Sequence, residues 1–292
     1  MDQRLIDLYD RYTHGAIDRR TFLGRAAALT GSTVAASALL AALTNDYARA
    51  ATVPENDPRL ALDDIAYESP KGRIAAYLAR PKSKGKRPAV VVIHENRGLT
   101  PHVRDVARRL GVEGFLALAP DLLSLVGGAP ADEDKGRALH AGANKDDMLA
   151  AAIAAVAFAK AHPESSGKAG AVGFCYGGGV VNRLAIESAE LDAAVPYYGP
   201  VPPDLAQVAK IKAPLLLQYA GTDAGINGRI HEYEAALKAA GKRYTIHMYE
   251  GAQHAFNNDT AGPRYDKAAA DLAWSRTLAF FREHLGAPPN AA

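Results

Sequence analysis

Only one of the 292 residues is a cysteine, so no disulfide can close within the chain and no multi-cysteine metal knuckle can form. Neither sign of charge dominates. The 34 Lys and Arg against 32 Asp and Glu leave a formal net charge of +2, which gives no reason to expect a nucleic-acid surface. No Gly-x-y period accompanies the 26 glycines, so a fibre is excluded, and no repeat of roughly 20–50 residues marks a solenoid. His94, His102, His140 and His231 lack the H-x-x-x-H and H-E-x-x-H spacings, and the adjacent His94 and Glu95 would point to opposite faces of a strand. No metal site is expected from them. Neither a G-x-x-x-x-G-K-[ST] phosphate loop nor a G-x-G-x-x-G turn is present, and no cofactor is implied. What remains is an ordinary globular composition, 48% hydrophobic and 23% charged, long enough for one large domain or two small ones.

The first fifty residues read as an address. Arg19 and Arg20 stand together, and Thr21, Phe22 and Leu23 follow. No residue from Ala26 to Asn45 is charged, and Ala48-Arg49-Ala50 presents small residues at the A-x-A spacing of a cleavage site. The pattern is similar to a twin-arginine translocation signal. It predicts export by that machinery, cleavage near Ala50/Ala51 and a periplasmic location, with no permanent membrane span, because Gly31 and several Ser and Thr dilute the apolar run. The competing reading is an Ala-rich helix belonging to the folded domain.

After a linker at 51–59 the pattern alternates. Runs at 60–67 and 73–80 flank Ser69-Pro70-Lys71-Gly72, a turn that predicts a hairpin. Pro88–His94 is a continuous β-branched run, as expected of a strand buried on both faces. Helical and strand patterns then alternate to about residue 286, leaving a short tail at 287–292. Antiparallel strands followed by β/α alternation predict a single α/β domain over 60–286, a mostly parallel sheet with helices on both faces.

The chemistry falls at strand ends. Gly173-Phe174-Cys175-Tyr176-Gly177 is a G-x-nucleophile-x-G pattern with Cys at the centre, placed between a buried strand and a helix. Such a turn needs positive φ at the nucleophile and small neighbours two positions away on either side. A lone cysteine is more often a small buried hydrophobe, but not commonly one in this setting. A thiol needs a base, and the base an orienting acid. Asp223 follows the apolar strand pattern 214–219, and His254 follows the strand pattern 244–249, giving the chain order nucleophile, acid, base. The plain alternatives are a helix N-cap for Asp223 and a satisfied loop histidine for His254.

These residues, with His94-Glu95-Asn96-Arg97-Gly98 after the first core strand, the Gln253-His254-Ala255-Phe256 segment and the 273–281 helix, resemble the dienelactone hydrolase family of the α/β-hydrolase fold. The resemblance implies that Glu95 sits beside the resting thiol and that the backbone N–H groups of Asn96 and Tyr176 form an oxyanion hole. Family enzymes named for the reaction grip a substrate carboxylate with two arginines. One would stand where this chain has Asn258, and Arg137 is a gapped candidate for the other. Arg97 could supply positive charge instead. The expected activity is hydrolysis of a lactone or small carboxylic ester through an acyl-cysteine. The rival from another class is a catalytically silent member of the fold that binds a ligand or partner.

Overall fold

Short side chains with oxygen acceptors start helices, and the chain uses them from its first residues. The computed structural model describes residues 1–49 and 52–289. Helices α1 (Gln3–Thr13), α2 (Arg19–Thr30) and α3 (Thr33–Leu43) come first. Asp2, Asp18 and Ser32 cap them by accepting from first-turn N–H groups, and Gly31 ends α2 at φ 75°. The three helices share a small core in which Leu8, Tyr9, Tyr12, Phe22, Leu40 and Leu43 meet. The segment read as an address is therefore folded, and it packs on the rest of the chain. The expected cleavage position at Ala50/Ala51 lies outside the described residues. Among the described residues no single helix is long and apolar enough to cross a membrane. Helices α2 and α3 reach that length and composition only together, bent by 115°.

The hairpin forms as expected, with β1 (Leu60–Ser69) antiparallel to β2 (Gly72–Pro81). There follow β3 (Arg87–Ile93), α4 (Pro101–Val112), β4 (Leu116–Pro120), α5 (Glu133–Gly142) and α6 (Lys145–Ala161). The second half runs β5 (Ser165–Phe174), α7 (Tyr176–Glu187), β6 (Ala193–Tyr197) and β7 (Leu215–Ala220). It finishes with α8 (Ala224–Asn227), α9 (Ile230–Ala239), β8 (Tyr244–Tyr249) and α10 (Lys267–Leu285). All eight strands make one sheet in the order β1-β2-β4-β3-β5-β6-β7-β8. Only β2 runs antiparallel to its neighbours β1 and β4, and every other pair is parallel.

Strand β3 is buried along its whole length, which explains its unbroken Val and Ile run. The sheet separates two apolar layers. On one face Met148 and Val156 of α6, Val181 and Leu184 of α7, and Tyr233 and Leu237 of α9 pack against it. On the other, Val103, Val106 and Leu110 of α4 join Ala273, Leu278 and Phe281 of α10. Helix α5 is not visible in the apolar pattern. It begins with Glu133-Asp134-Lys135, buries only Gly136, and starts at an Asp132 cap. Strand β5 begins four residues before its apolar run because Ser165 already pairs with Arg87.

The parallel strands deliver four loops to one sheet edge: those after β3, β5, β7 and β8, where α/β folds place ligands. Helix α7 approaches this edge very closely. A Cβ added at Gly178 would stand 2.5 Å from the Tyr197 carbonyl oxygen. The variant Gly178→Ala should lose about 1–3 kcal/mol of stability, read as a lower denaturant midpoint at unchanged slope. A wild-type midpoint would show that α7 has room to move away from the sheet.

Candidate active site

Cys175 lies between the last residue of β5 and the first of α7, at φ 54° and ψ −118°. A non-glycine residue in such a conformation is strained by roughly 1–3 kcal/mol and persists only where its surroundings hold it. They do. A Cβ at Gly173 would meet the Gly177 carbonyl oxygen at 2.2 Å, and one at Gly177 would meet that of Ile93 at 2.3 Å. The Cys175 N–H donates to Tyr197 O at 3.1 Å, and the Gly179 N–H donates back to Cys175 O at 3.2 Å. The thiol is thus fixed over the N-terminus of α7, where amide groups and the helix dipole favour an anion.

Asp223 and His254 arrive from the loops after β7 and β8. The His254 Nδ1–H donates to Asp223 Oδ2 at 2.5 Å, while Asp223 Oδ1 accepts the Ile226 N–H at 3.2 Å and caps α8. The aspartate fills the N-cap role and the histidine-orienting role with its two oxygens. Ala255, the next residue after His254, adopts φ 68°, which tightens the turn. His254 Nε2 is buried, without a hydrogen-bond partner among the described residues, and lies within 4.8 Å of Cys175 Sγ.

The electrostatics of this row favour separated charge. Burial alone would raise the Cys175 thiol, but the positive His254 and His14 outweigh it and bring the thiol down to about 6. Burial works against the His254 imidazolium as well, yet the thiolate and Asp223 hold its pKa well above the usual histidine value. Asp223 is lowered against its own burial by His254.

The loop after β3 places the other expected residues. His94 is wholly buried. Its Nε2 accepts the Leu122 N–H at 3.0 Å and its Nδ1–H donates to Glu95 O at 2.5 Å, so it braces the loop as a neutral ring. Glu95 is held by Arg97 Nη1 at 2.9 Å and by Asn258 Nδ2 at 3.3 Å. The resemblance sets this carboxylate beside the thiol. Glu95 lines the same small cavity as Cys175; its carboxylate is bonded to Arg97, while the hydrogen bond at Sγ involves His14. Burial would raise Glu95, and the Arg97 charge lowers it below the usual range. Arg97 also meets Glu133 at 3.2 Å, so two carboxylates neutralise it. Arg137 is committed to Glu133 at 3.2 Å, to Asp134 and to the Tyr12 hydroxyl at 3.1 Å. Asn258 Oδ1 accepts from Thr260 while its amide supports Glu95. Tyr176 is the first residue of α7, and the Asn96 side chain donates to Thr13 O at 2.7 Å.

That last contact introduces the residues that sequence reasoning passed over. The C-terminal end of α1 reaches into the site. His14 Nε2 lies 3.4 Å from Cys175 Sγ, and its Nδ1–H donates to Asp10 O at 2.6 Å. Asp10 Oδ1 stands 3.7 Å from Nη1 of Arg264, whose guanidinium also covers the Tyr9 ring at 4.8 Å. Arg264, buried in the turn Gly262–Arg264, lines the same cavity as Cys175 and His254. Tyr198, at φ 34°, packs its ring 5.0 Å from that of His254 and keeps its hydroxyl buried without a partner among the described residues. No motif spacing flags His14, Asp10 or Arg264, because they belong to segments read as an address or a loop. With α1 seated, the cavity at the thiol is about 10 Å³, room for no more than one water. Larger clefts of about 310 and 510 Å³ flank the N-terminal helices and do not reach the thiol.

Comparison with known proteins places the fold in a family. The sequence model of the dienelactone hydrolase family matches residues 74–285, and one described as YqhI-like matches residues 1–29. A Saccharolobus solfataricus protein named "Putative carboxymethylenebutenolidase" is 32% identical over 256 residues, covering 75% of this chain and 97% of that protein. An Escherichia coli K12 protein of the same name is 34% identical over 227 residues, covering 72% of this chain and 83% of that one. Among solved structures, one titled "Putative Dienelactone Hydrolase" from Klebsiella pneumoniae superposes with a TM-score of 0.70 at 30% identity, covering 77% of this chain and 99% of that one.

The charge arrangement predicts how the thiol titrates. Alkylation of Cys175 by iodoacetamide should fall as pH drops through about 6, whereas an ordinary thiol titrates near 8.5. The small cavity slows the reaction but leaves its midpoint in place. A midpoint near 8.5 would show that the histidines do not hold a thiolate.

Proposed function

The chain belongs to the dienelactone hydrolase family and is a hydrolase of ester or lactone bonds, and we propose that it works through an acyl-cysteine built by Cys175, His254 and Asp223. The observation that carries this reading is the Asp223–His254 hydrogen bond with His254 within 4.8 Å of the strained thiol. The Cys175 thiolate attacks the carbonyl carbon, and the Tyr176 and Asn96 N–H groups receive the developing oxyanion. The imidazolium of His254 gives its proton to the leaving alkoxide, and the acyl-thioester remains on Cys175. His254, now neutral and still oriented by Asp223, takes a proton from water, whose hydroxide releases the acid and restores the thiolate.

A carboxylated substrate suits the charges. Arg97 and Arg137 are already neutralised by Glu95, Glu133 and Asp134. Arg264 is the cation lining the thiol cavity whose acidic partner, Asp10, belongs to α1. In this reading Asp10 holds the place of a substrate carboxylate.

The N-terminal segment is proposed as an export leader for a periplasmic enzyme, delivered by the twin-arginine machinery. Arg19-Arg20, the uncharged stretch 26–45 and Ala48–Ala50 support it. While seated, the segment keeps the thiol closed to anything larger than water, so cleavage near Ala51 would open the site. A silent, binding-only member of the fold is disfavoured by the elbow strain, which a protein without chemistry has no reason to keep.

On a panel of short p-nitrophenyl esters and lactones, with and without a carboxylate, Cys175→Ala should lose turnover while keeping its circular dichroism. Arg264→Met should raise KM by about tenfold or more for the carboxylated members alone, as loss of a charged hydrogen bond implies. Unchanged turnover in the cysteine variant would overturn the mechanism, and an equal loss on neutral esters would remove the role of Arg264. For export, N-terminal sequencing of protein from the periplasm should begin near Ala51. Recovery of the chain only from cytoplasm, with Met1 intact, would refute it.

A further inference from the structure

His14, Cys175 and His254 offer three donor atoms to one point. His14 Nε2, Cys175 Sγ and His254 Nε2 all lie within 4.8 Å of one another, and the sulfur–His14 edge measures 3.4 Å. Tetrahedral zinc with bonds near 2.3 Å to sulfur and 2.0–2.1 Å to nitrogen spaces such donors by roughly 3.5 Å. One edge therefore has the required length already, and the others need to close by at most about 1.3 Å.

The rings are also oriented as metal-binding rings are. A histidine that ligates a metal usually donates its other N–H to a carboxylate or a backbone carbonyl, which fixes the tautomer. Both histidines meet this condition. His254 Nδ1–H donates to the Asp223 carboxylate at 2.5 Å, and His14 Nδ1–H donates to the Asp10 carbonyl at 2.6 Å. Each ring thereby turns Nε2 toward the sulfur. His254 Nε2 is buried and has no hydrogen-bond partner among the described residues, although nearly every buried nitrogen finds one.

We propose that the uncut chain binds one Zn²⁺ through His14 Nε2, Cys175 Sγ and His254 Nε2. Two imidazoles and a thiolate form a donor set that suits zinc and disfavours Mg²⁺ and Ca²⁺. Each of the three donors gives a lone pair to the metal, and any Nε2 proton on either ring passes to solvent. No electron is transferred. His14 comes from α1 and the other two ligands from the sheet edge, so the ion clamps the N-terminal helices over the thiol. His14 is solvent-exposed, which leaves the ion a route in. This inference goes beyond hydrolysis and stands on geometry alone, so its test does not depend on whether Cys175 is a nucleophile.

The test uses the untagged full-length chain, reduced and freed of metal, titrated with Co²⁺ and then with Zn²⁺. Because the chain has one cysteine, a thiolate-to-cobalt charge-transfer band can arise only at Cys175. The band should saturate at one equivalent with the d–d spectrum of tetrahedral cobalt and disappear on addition of Zn²⁺. His14→Ala should weaken binding by more than the 10–100-fold that loss of an outer partner costs, and His14→Cys should retain the site with a stronger band. Circular dichroism accompanies each variant, and if His14→Ala does not fold, His14→Cys decides. Absence of the band in wild type would overturn the proposal. So would a band of equal affinity in folded His14→Ala, or a His14→Cys variant whose band gains nothing.

Discussion

The approach of α7 to the sheet is the constraint on which the rest of the site depends. At Gly173 and Gly177 the backbone of the strand–helix turn comes so close to itself and to β3 that no side chain fits. That crowding forces Cys175 into positive φ and lifts its sulfur off the sheet into the path of the loops after β3, β7 and β8. If the helix were an ångström or two further away, the turn could relax and the thiol would fall back among its apolar neighbours. The apolar layers of α6, α7 and α9 on one face, and of α4 and α10 on the other, hold the sheet edge against which this crowding is maintained.

Charge at the site is organised as two partly buried rows that share little. One runs Asp223, His254, Cys175 and His14. The other runs Asn258, Glu95, Arg97, Glu133 and Arg137. In a low-dielectric setting each member is tolerable only because its neighbours satisfy it, so removing one would strand the next. This separates the groups that can react from those that only shape the pocket. Arg97 and Arg137 are each paired with carboxylates, whereas the acidic partner within 4 Å of Arg264 among the described residues is Asp10, a group that belongs to the N-terminal helices.

Those helices give the site its second character. They have their own core and make several polar contacts with the rest of the chain, as does Tyr47 just after them. Thr13 O receives the Asn96 amide, the Tyr47 hydroxyl donates to Glu133 at 2.6 Å, and Arg19 meets Asp134 at 2.8 Å. The Arg19–Asp134 pair, being exposed, exchanges with water at small net cost, whereas the Asn96–Thr13 bond is buried.

The strand–helix rhythm, the elbow and the chain order of Cys175, Asp223 and His254 were legible in the sequence, because each depends on local backbone needs or on strand ends that apolar runs mark. The length of α5 was not, since its polar first turn and single buried glycine carry no apolar period. The side-chain partnerships of the pocket were not legible either. Glu95 could be placed on the right loop, but that it lines the thiol cavity while bonded to Arg97 depends on distances across a buried volume. His14 was the furthest from view. Composition marks the first fifty residues as apolar, small and uncharged in their centre, a pattern shared by a leader and by a helix packed on a protein. Local sequence determined what each segment of this chain can become. Only the tertiary structure decided which distant groups share a few ångströms, because contacts between residues 161 positions apart rest on packing geometry and leave no spacing to read.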